Sequence, residues 1–271
     1  DLIQMIALAV ACEERVIRAP EPSFLMYRMI AEFAGMRFVG VPLNAEDFSL
    51  DMVAMREAIQ QYQPAVIFLA YPNNPTGNLF DPDALREIIA LADGLVVIDE
   101  AYAAFAEHSF LNELNAPNVL VMRTVSKMGL AGLRLGYQVG PPAWLQEFDN
   151  IRLPYNINVL TQLSAEFALQ HKDVLDQQTQ TLCQERTRLF DQMTAIAGLR
   201  VYPSQANFLL FRLLNAQADD LFEALKQGGV LIKRLSGSHA LLDNCLRVTV
   251  GKPEENDAFL SVLTDFMSVQ S

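Results

Sequence analysis

The chain has 271 residues, 51% hydrophobic and 19% charged, with 13 Gly and 13 Pro. That suffices for a large core and leaves no room for disorder or collagen-like repetition as the main theme. Lys and Arg number 20 against 32 Asp and Glu, a formal charge of −12; a chain this acidic lacks the basic footprint that binds a phosphate backbone, so nucleic acid is not an expected partner.

The first element in chain order is the apolar run 2–11, interrupted by Gln4. It is too short to span a bilayer, and no basic region precedes it as in a signal peptide. A helix apolar on nearly every side is an interior helix, and its place at the first residue points to a natural beginning upstream of Asp1. Helices are predicted over 49–61, with Ser49 as N-cap, and over 82–92, with Asp81 as cap, Pro82 at the first helical position and Gly94 closing it. Between and after them lie three short apolar runs, 65–69, 95–98 and 119–122, without polar alternation. Strands covered on both faces have this texture, and strands alternating with helices predict a mainly parallel, doubly wound α/β sheet. A long helical stretch, 158–197, follows and breaks near His171-Lys172-Asp173; beyond it come strands at 207–212, 230–233 and 246–250, and helices from Asp219 and Pro253. The expected division is a large domain over 1–178 and a smaller α+β domain over 179–271. Cys12, Cys183 and Cys245 are scattered, with no C-x-x-C, and read as small buried hydrophobes of a reducing compartment, which makes a cytoplasmic protein the expectation. His108, His171 and His239 have no ligand spacing and read as surface or structural residues, and no metal site is expected.

Ligands of such sheets sit beyond the carboxyl ends of the strands, so the residues there carry the functional reading. The run 65–69 leads into Tyr71-Pro72-Asn73-Asn74-Pro75-Thr76-Gly77, a rigid turn that either only connects strand to helix or presents an amide at fixed geometry. After 95–98 come Asp99-Glu100-Ala101-Tyr102. An acid behind four buried aliphatics needs a partner: it caps a helix or holds a cation, and Tyr102 can reach the same mouth. After 119–122 come Thr124, Ser126 and Lys127, then a Gly-punctuated loop ending at Arg134. Lys127 is a solvated lysine or a catalytic one, while hydroxyls, glycine N–H groups and an arginine are what an anionic phosphate needs. No G-x-G-x-x-G follows a strand, and no P-loop, H-E-x-x-H or G-x-S-x-G motif is present.

Taken together, Asn74-Pro75-Thr76-Gly77, Asp99-x-x-Tyr102, Thr124-x-Ser126-Lys127 and Arg134 resemble, in order and spacing, the fold-type I pyridoxal phosphate enzymes, the aspartate aminotransferase-like family. Pro22-Ser23-Phe24 through Tyr27, the 153–156 turn, Ala206-Asn207-Phe208 and the stretch 246–256 narrow this to similarity with the histidinol-phosphate aminotransferases. The resemblance implies that Lys127 forms the Schiff base and shuttles the proton, that Asp99 pairs with the pyridine nitrogen, and that Tyr102 and Asn74 donate to the ring's phenolic oxygen. It further implies that Phe24 stacks on the ring, that Thr124, Ser126 and Arg134 hold the cofactor phosphate, and that Arg234 and Arg247 bind the substrate through its phosphate ester. The implied reaction is amino transfer between glutamate and imidazole acetol phosphate by a homodimer, with small-molecule substrates and neither membrane nor nucleic acid as partner. The Lys127-to-Arg134 spacing is one shorter than in many relatives, and the resemblance implies a further segment before Asp1 that caps the cofactor phosphate. Three other readings stay open: a related transaminase for aromatic amino acids, a phosphothreonine decarboxylase-like lyase, and a fragment too short to be active.

Overall fold

The computed structural model describes residues 1–270. In chain order its elements are α1 (Leu2–Ala9), β1 (Val16–Glu21), α2 (Met26–Phe33), β2 (Arg37–Pro42), α3 (Met52–Tyr62), β3 (Val66–Ala70), α4 (Pro82–Leu91), β4 (Leu95–Asp99), β5 (Val119–Thr124), β6 (Gly136–Val139) and α5 (Pro142–Ile151). Then follow α6 (Val159–Gln170), α7 (Lys172–Thr194), β7 (Leu199–Val201), β8 (Phe208–Leu213), α8 (Ala218–Gln227), β9 (Lys233–Arg234), β10 (Cys245–Thr249) and α9 (Pro253–Gln270).

Six strands form one sheet in the order β2-β1-β3-β4-β5-β6, parallel throughout except for β6, which runs antiparallel to β5. Strand parity explains why its central strands lack polar positions. Ile67, Leu69, Val96 and Ile98 face a core built with α3 and α4. Val66, Phe68, Leu95 and Val97 face a second core built with α1, α2 and α5. With helices on both sides, every residue of β3 and β4 is buried. The second sheet, β7-β8-β10-β9, is antiparallel. One face, with Leu209, Phe211, Leu246 and Val248, packs on α7, α8 and α9; the other, with Leu210, Leu235 and Cys245, joins the α3–α4 core of the first sheet.

Local chemistry sets several boundaries. Asp81 caps α4 through the N–H of Asp83 at 2.9 Å, as expected. The cap of α3 is Asp51, which accepts from Ala54 N at 3.0 Å, and not Ser49; the Ser49 hydroxyl instead accepts from Asn44 at 2.8 Å. Helix α4 ends on an extended Ala92 and not on Gly94, which is required for another reason: a Cβ there would lie 2.1 Å from the carbonyl oxygen of Pro64. The break between α6 and α7 falls at His171, where expected. The expected strand 230–233 is reduced to Lys233–Arg234, because Val230 and Ile232 pack against the helix-side core without pairing into the sheet. Helix α1 is less enclosed than its composition suggests: Ile6 and Ala7 are buried, but Leu8 stays half exposed. Cys245 is buried and Cys183 partly so, whereas Cys12 is exposed, contrary to the reading of all three as core residues. The expected division at 178/179 falls inside α7. Among the described residues, no helix is long and apolar enough to cross a membrane.

Candidate active site

The carboxyl ends of β3, β4 and β5 converge on a cavity of about 260 Å³ lined by Phe24, Tyr27, Asn74, Asp99, Tyr102, Lys127 and Arg247, with Ala70, Pro72 and Ala101. Six of the ten residues singled out from the sequence therefore meet here: Phe24, Asn74, Asp99, Tyr102 and Lys127 from the first sheet and its loops, and Arg247 from the second; Arg234 lines a neighbouring cavity.

Asp99 is the last residue of β4 and only 7% exposed. One carboxylate oxygen accepts the hydroxyl of Tyr27 at 2.7 Å, and the other accepts the N–H of Ala101 at 3.1 Å. Burial pushes its pKa up to about 6, with the Tyr27 hydrogen bond opposing that rise. Tyr27, on α2, is the functional candidate that pattern reading missed. Its ring stacks on Phe68 at 4.7 Å and meets Phe24 edge-on at 5.5 Å, so in the sequence it is indistinguishable from a core aromatic; its place in the first turn of α2, just after the Pro22-Ser23-Phe24 segment, was the available signal.

Lys127 sits on a short 3-10 turn, Ser126–Met128, directly after β5. Its ammonium lies 5.1 Å from the centre of the Tyr102 ring. Burial lowers its pKa, nearby Arg247 and Arg134 lower it further, and Asp99 opposes them. The lysine is thereby biased toward the free amine, the form that acts as nucleophile and base. Tyr102 packs edge-on against Phe208 at 5.2 Å, and burial raises its pKa.

Asn74 is held by the turn around it. The buried Asn73 side chain donates to Thr76 at 2.7 Å and to the Pro22 carbonyl at 3.0 Å, and accepts from Ser23 at 2.9 Å. The turn is thus bound to the segment that carries Phe24. Gly77 closes it with φ +83°, where a Cβ would meet the Ser204 hydroxyl at 2.5 Å. Arg247 donates to the Asn74 carbonyl oxygen, and since a guanidinium only donates, the Asn74 amide nitrogen remains the group free to donate elsewhere. Arg247 also lies over the Phe208 ring at 4.6 Å, and its buried Nε has no partner among the described residues.

Thr124, Ser126 and Arg134 lie beside this cavity and do not line it. The Thr124 hydroxyl donates to Ser126 at 2.9 Å or to the Leu135 carbonyl at 2.9 Å, and Arg134, exposed and at φ +51°, donates to the Ala131 carbonyl at 3.0 Å. The first turn of α1 is close by, its Leu2 side chain reaching the backbone of Gly136, which pairs with Thr124. Arg234 and Arg247 do not share a face. Arg247 stands opposite Lys233 and Leu246 opposite Arg234 in the β9–β10 register, so Arg234 points toward α8, where it pairs with Asp219 at 3.2 Å. Glu100, beside Asp99, faces away from the cavity: it is 1% exposed and bound to Arg123 at 2.6 Å, to Ser109 and to the Phe110 N–H.

The model of the family described as aminotransferase class I and II matches residues 1–263. The chain belongs to that family. Histidinol-phosphate aminotransferase 2 of Nitrosococcus oceani is 54% identical over 264 residues, 97% of this chain and 73% of the relative. Histidinol-phosphate aminotransferase 1 of Ralstonia nicotianae is 52% identical over 275 residues, 98% of this chain and again 73% of the relative. Among solved structures of the aminotransferase fold, histidinol-phosphate aminotransferase of Clostridium acetobutylicum superposes with a TM-score of 0.90 at 24% identity, covering 98% of this chain and 82% of that one. The Sinorhizobium meliloti enzyme, solved in complex with pyridoxal-5'-phosphate, superposes with a TM-score of 0.88 at 25% identity over 100% of this chain and 75% of that one. The largely parallel sheet expected from the sequence is that of this family.

Proposed function

We propose that the chain is a pyridoxal phosphate-dependent histidinol-phosphate aminotransferase, which transfers the amino group between L-glutamate and imidazole acetol phosphate. The observation that carries this reading is the cavity itself: a buried acid, a lysine biased toward its neutral form and a carboxylate-binding arginine meet in it, in a chain more than half identical to relatives of that name.

The residues present fit the cofactor. Asp99 at the cavity floor matches a ring N–H, the free Asn74 amide and the Tyr102 hydroxyl match a ring oxygen, and Phe24 offers an aromatic face. Thr124, Ser126 and Arg134, with the first turn of α1, form the neighbouring group for the phosphate. Bound there, pyridoxal phosphate supplies an aldehyde that condenses with amines and an electron-withdrawing ring that acidifies the adjacent carbon.

The chain's own residues do the rest. Arg247, with an unpaired Nε, grips the α-carboxylate of glutamate. Lys127 Nζ, biased toward the free amine, would take the proton from the substrate Cα and return it in the course of the transfer. Asp99, kept ionised by the Tyr27 hydroxyl and the Ala101 N–H, accepts the ring nitrogen's hydrogen bond throughout. In the opposite half-reaction Lys127 and Asp99 would play the same parts in reverse. An apolar stripe on α6, where Val159, Leu163 and Phe167 are each more than half exposed, supports a homodimer.

The test is direct. Incubation with pyridoxal phosphate followed by borohydride is expected to fix the cofactor covalently on Lys127, read by peptide mapping, and the loaded protein is expected to convert histidinol phosphate with 2-oxoglutarate. An adduct elsewhere, or turnover confined to unphosphorylated amino acids, overturns the reading.

A further inference from the structure

The Tyr102 hydroxyl has no hydrogen-bond partner among the described residues, so packing alone fixes where it points along the cavity wall. That packing is a small separate cluster in which Tyr102 and Phe105 meet Ala206 and Phe208, closed by Leu182 and Cys183 of α7. It joins two segments far apart in the chain. One is the 3-10 turn Ala103–Phe105, whose last N–H returns to the Tyr102 carbonyl at 3.0 Å. The other is the stretch entering β8, whose Phe208 meets the Tyr102 ring edge-on and carries the Arg247 guanidinium on its face. The titratable groups around Tyr102 are Tyr27, Asp99, Lys127 and Arg247.

Arg186, four residues after Leu182 and so on the same face of α7, spans this cluster. Its Nη1 donates to the Phe105 carbonyl at 3.2 Å and to the Ala206 carbonyl at 2.9 Å. That nitrogen carries two hydrogens in a fixed plane, so one planar group sets the separation of the two segments. Arg188, two residues on, is paired with Glu185 and Asp257. Arg186 has no ion-pair partner among the described residues, and its charge rests on the two carbonyls. We infer that Arg186 is a positioning residue for Tyr102: by holding the Phe105 and Ala206 carbonyls it fixes the Tyr102–Phe208 contact, and with it the hydroxyl that donates to the cofactor's ring oxygen. This deepens the reading given under Proposed function and rests on it for the identity of the cofactor.

A hydroxyl donating to the ring oxygen draws charge from it, and the oxygen then holds the proton on the neighbouring lysine-derived nitrogen less tightly. Arg186→Met keeps an unbranched stem and removes the donors. It is expected to raise, by about one pH unit, the midpoint at which the visible band of cofactor-loaded protein titrates. Arg186→Gln is expected to give a smaller shift in the same direction, and serves alone if the methionine variant does not fold. In a Tyr102→Phe background, which has lost the hydroxyl, neither substitution is expected to add to the shift. In cofactor-free protein, Arg186→Met is expected to speed amide hydrogen exchange in 102–106 and 204–208 while the strands of the first sheet keep wild-type rates. An unchanged midpoint in variants whose urea melts are weakened, or a shift of equal size with and without the Tyr102 hydroxyl, overturns the inference. Wild-type protein that takes up no pyridoxal phosphate removes the functional reading, and the exchange comparison then decides. Acceleration confined to the two segments sustains Arg186 as the holder of Tyr102, whereas no acceleration, or acceleration throughout the chain, overturns it.

Discussion

At the residue scale, Asp99 sets the chemistry and also carries a cost. Its pKa is about 6 in the folded chain against 3.8 as the ordinary value, chiefly through burial. Between those values the folded state holds the proton that the unfolded state has lost, so stability falls as pH rises through this window, and above pH 6 the cost is complete, on the order of 3 kcal/mol. In cofactor-free protein, Asp99→Asn is therefore expected to gain stability relative to wild type as pH is raised from 4 to 7.5, read as diverging urea-melt midpoints; parallel curves would show that the carboxylate is not strained by burial. Groups facing Asp99 are Tyr27 from α2, Glu100 and Tyr102 from its own segment and Lys127 from the turn after β5. Asp99, Tyr102, Lys127 and Asn74 were legible in the sequence because each lies at the end of a buried strand or within four residues of it. Tyr27 was not, since a phenol in an apolar pattern shows no hydrogen-bond partner until the fold supplies one. The pairing of Arg247 with Lys233 was equally hidden, because strand parity at β9 depends on a register that two residues cannot announce.

At the level of elements, β3, β4 and β5 were legible as unbroken apolar runs, whereas β1 carries Arg18 and Pro20 and β2 a glycine at the sheet edge. Those interruptions are tolerated for physical reasons. Arg18 donates to the Val39 carbonyl at 3.2 Å and lies 4.7 Å from the Tyr62 ring, so its buried charge rests on polar and aromatic partners. The strand ends that carry the site are tied together by a buried pair. Glu100, next to Asp99, binds Arg123, next to Thr124, with Ser109 bridging at 2.8–3.0 Å. Removing Glu100 leaves the partly exposed Arg123 and the Ser109 and Phe110 donors without their acceptor, so Glu100→Ala is expected to cost about 2–3 kcal/mol in chemical denaturation. A loss below 1 kcal/mol would mean that the pair is solvated and does not couple β4 to β5.

At the scale of the whole molecule, α6 presents Val159, Leu163 and Phe167, with Leu160 beside them, each more than half exposed. Spaced along one helical face and close to the 96% exposed Tyr155, they form an apolar stripe that water covers poorly. Sedimentation of the wild-type chain is expected to show dimers, and Leu163→Glu combined with Phe167→Glu is expected to shift it to monomer; unchanged sedimentation would place the subunit contact elsewhere. The sequence alone suggested two domains, and two sheets are present, but their cores are continuous: Leu210, Leu235, Leu242 and Cys245 of the second sheet's segment belong to the same cluster as Ile67, Leu69, Val96 and Ile98 of the first. Hydrophobic runs show which residues are buried and not which sheet they are buried against. Prising the two sheets apart would wet some of the most tightly enclosed side chains in the chain, Leu210 and Cys245 among them, so the two sheets are expected to unfold as one cooperative unit.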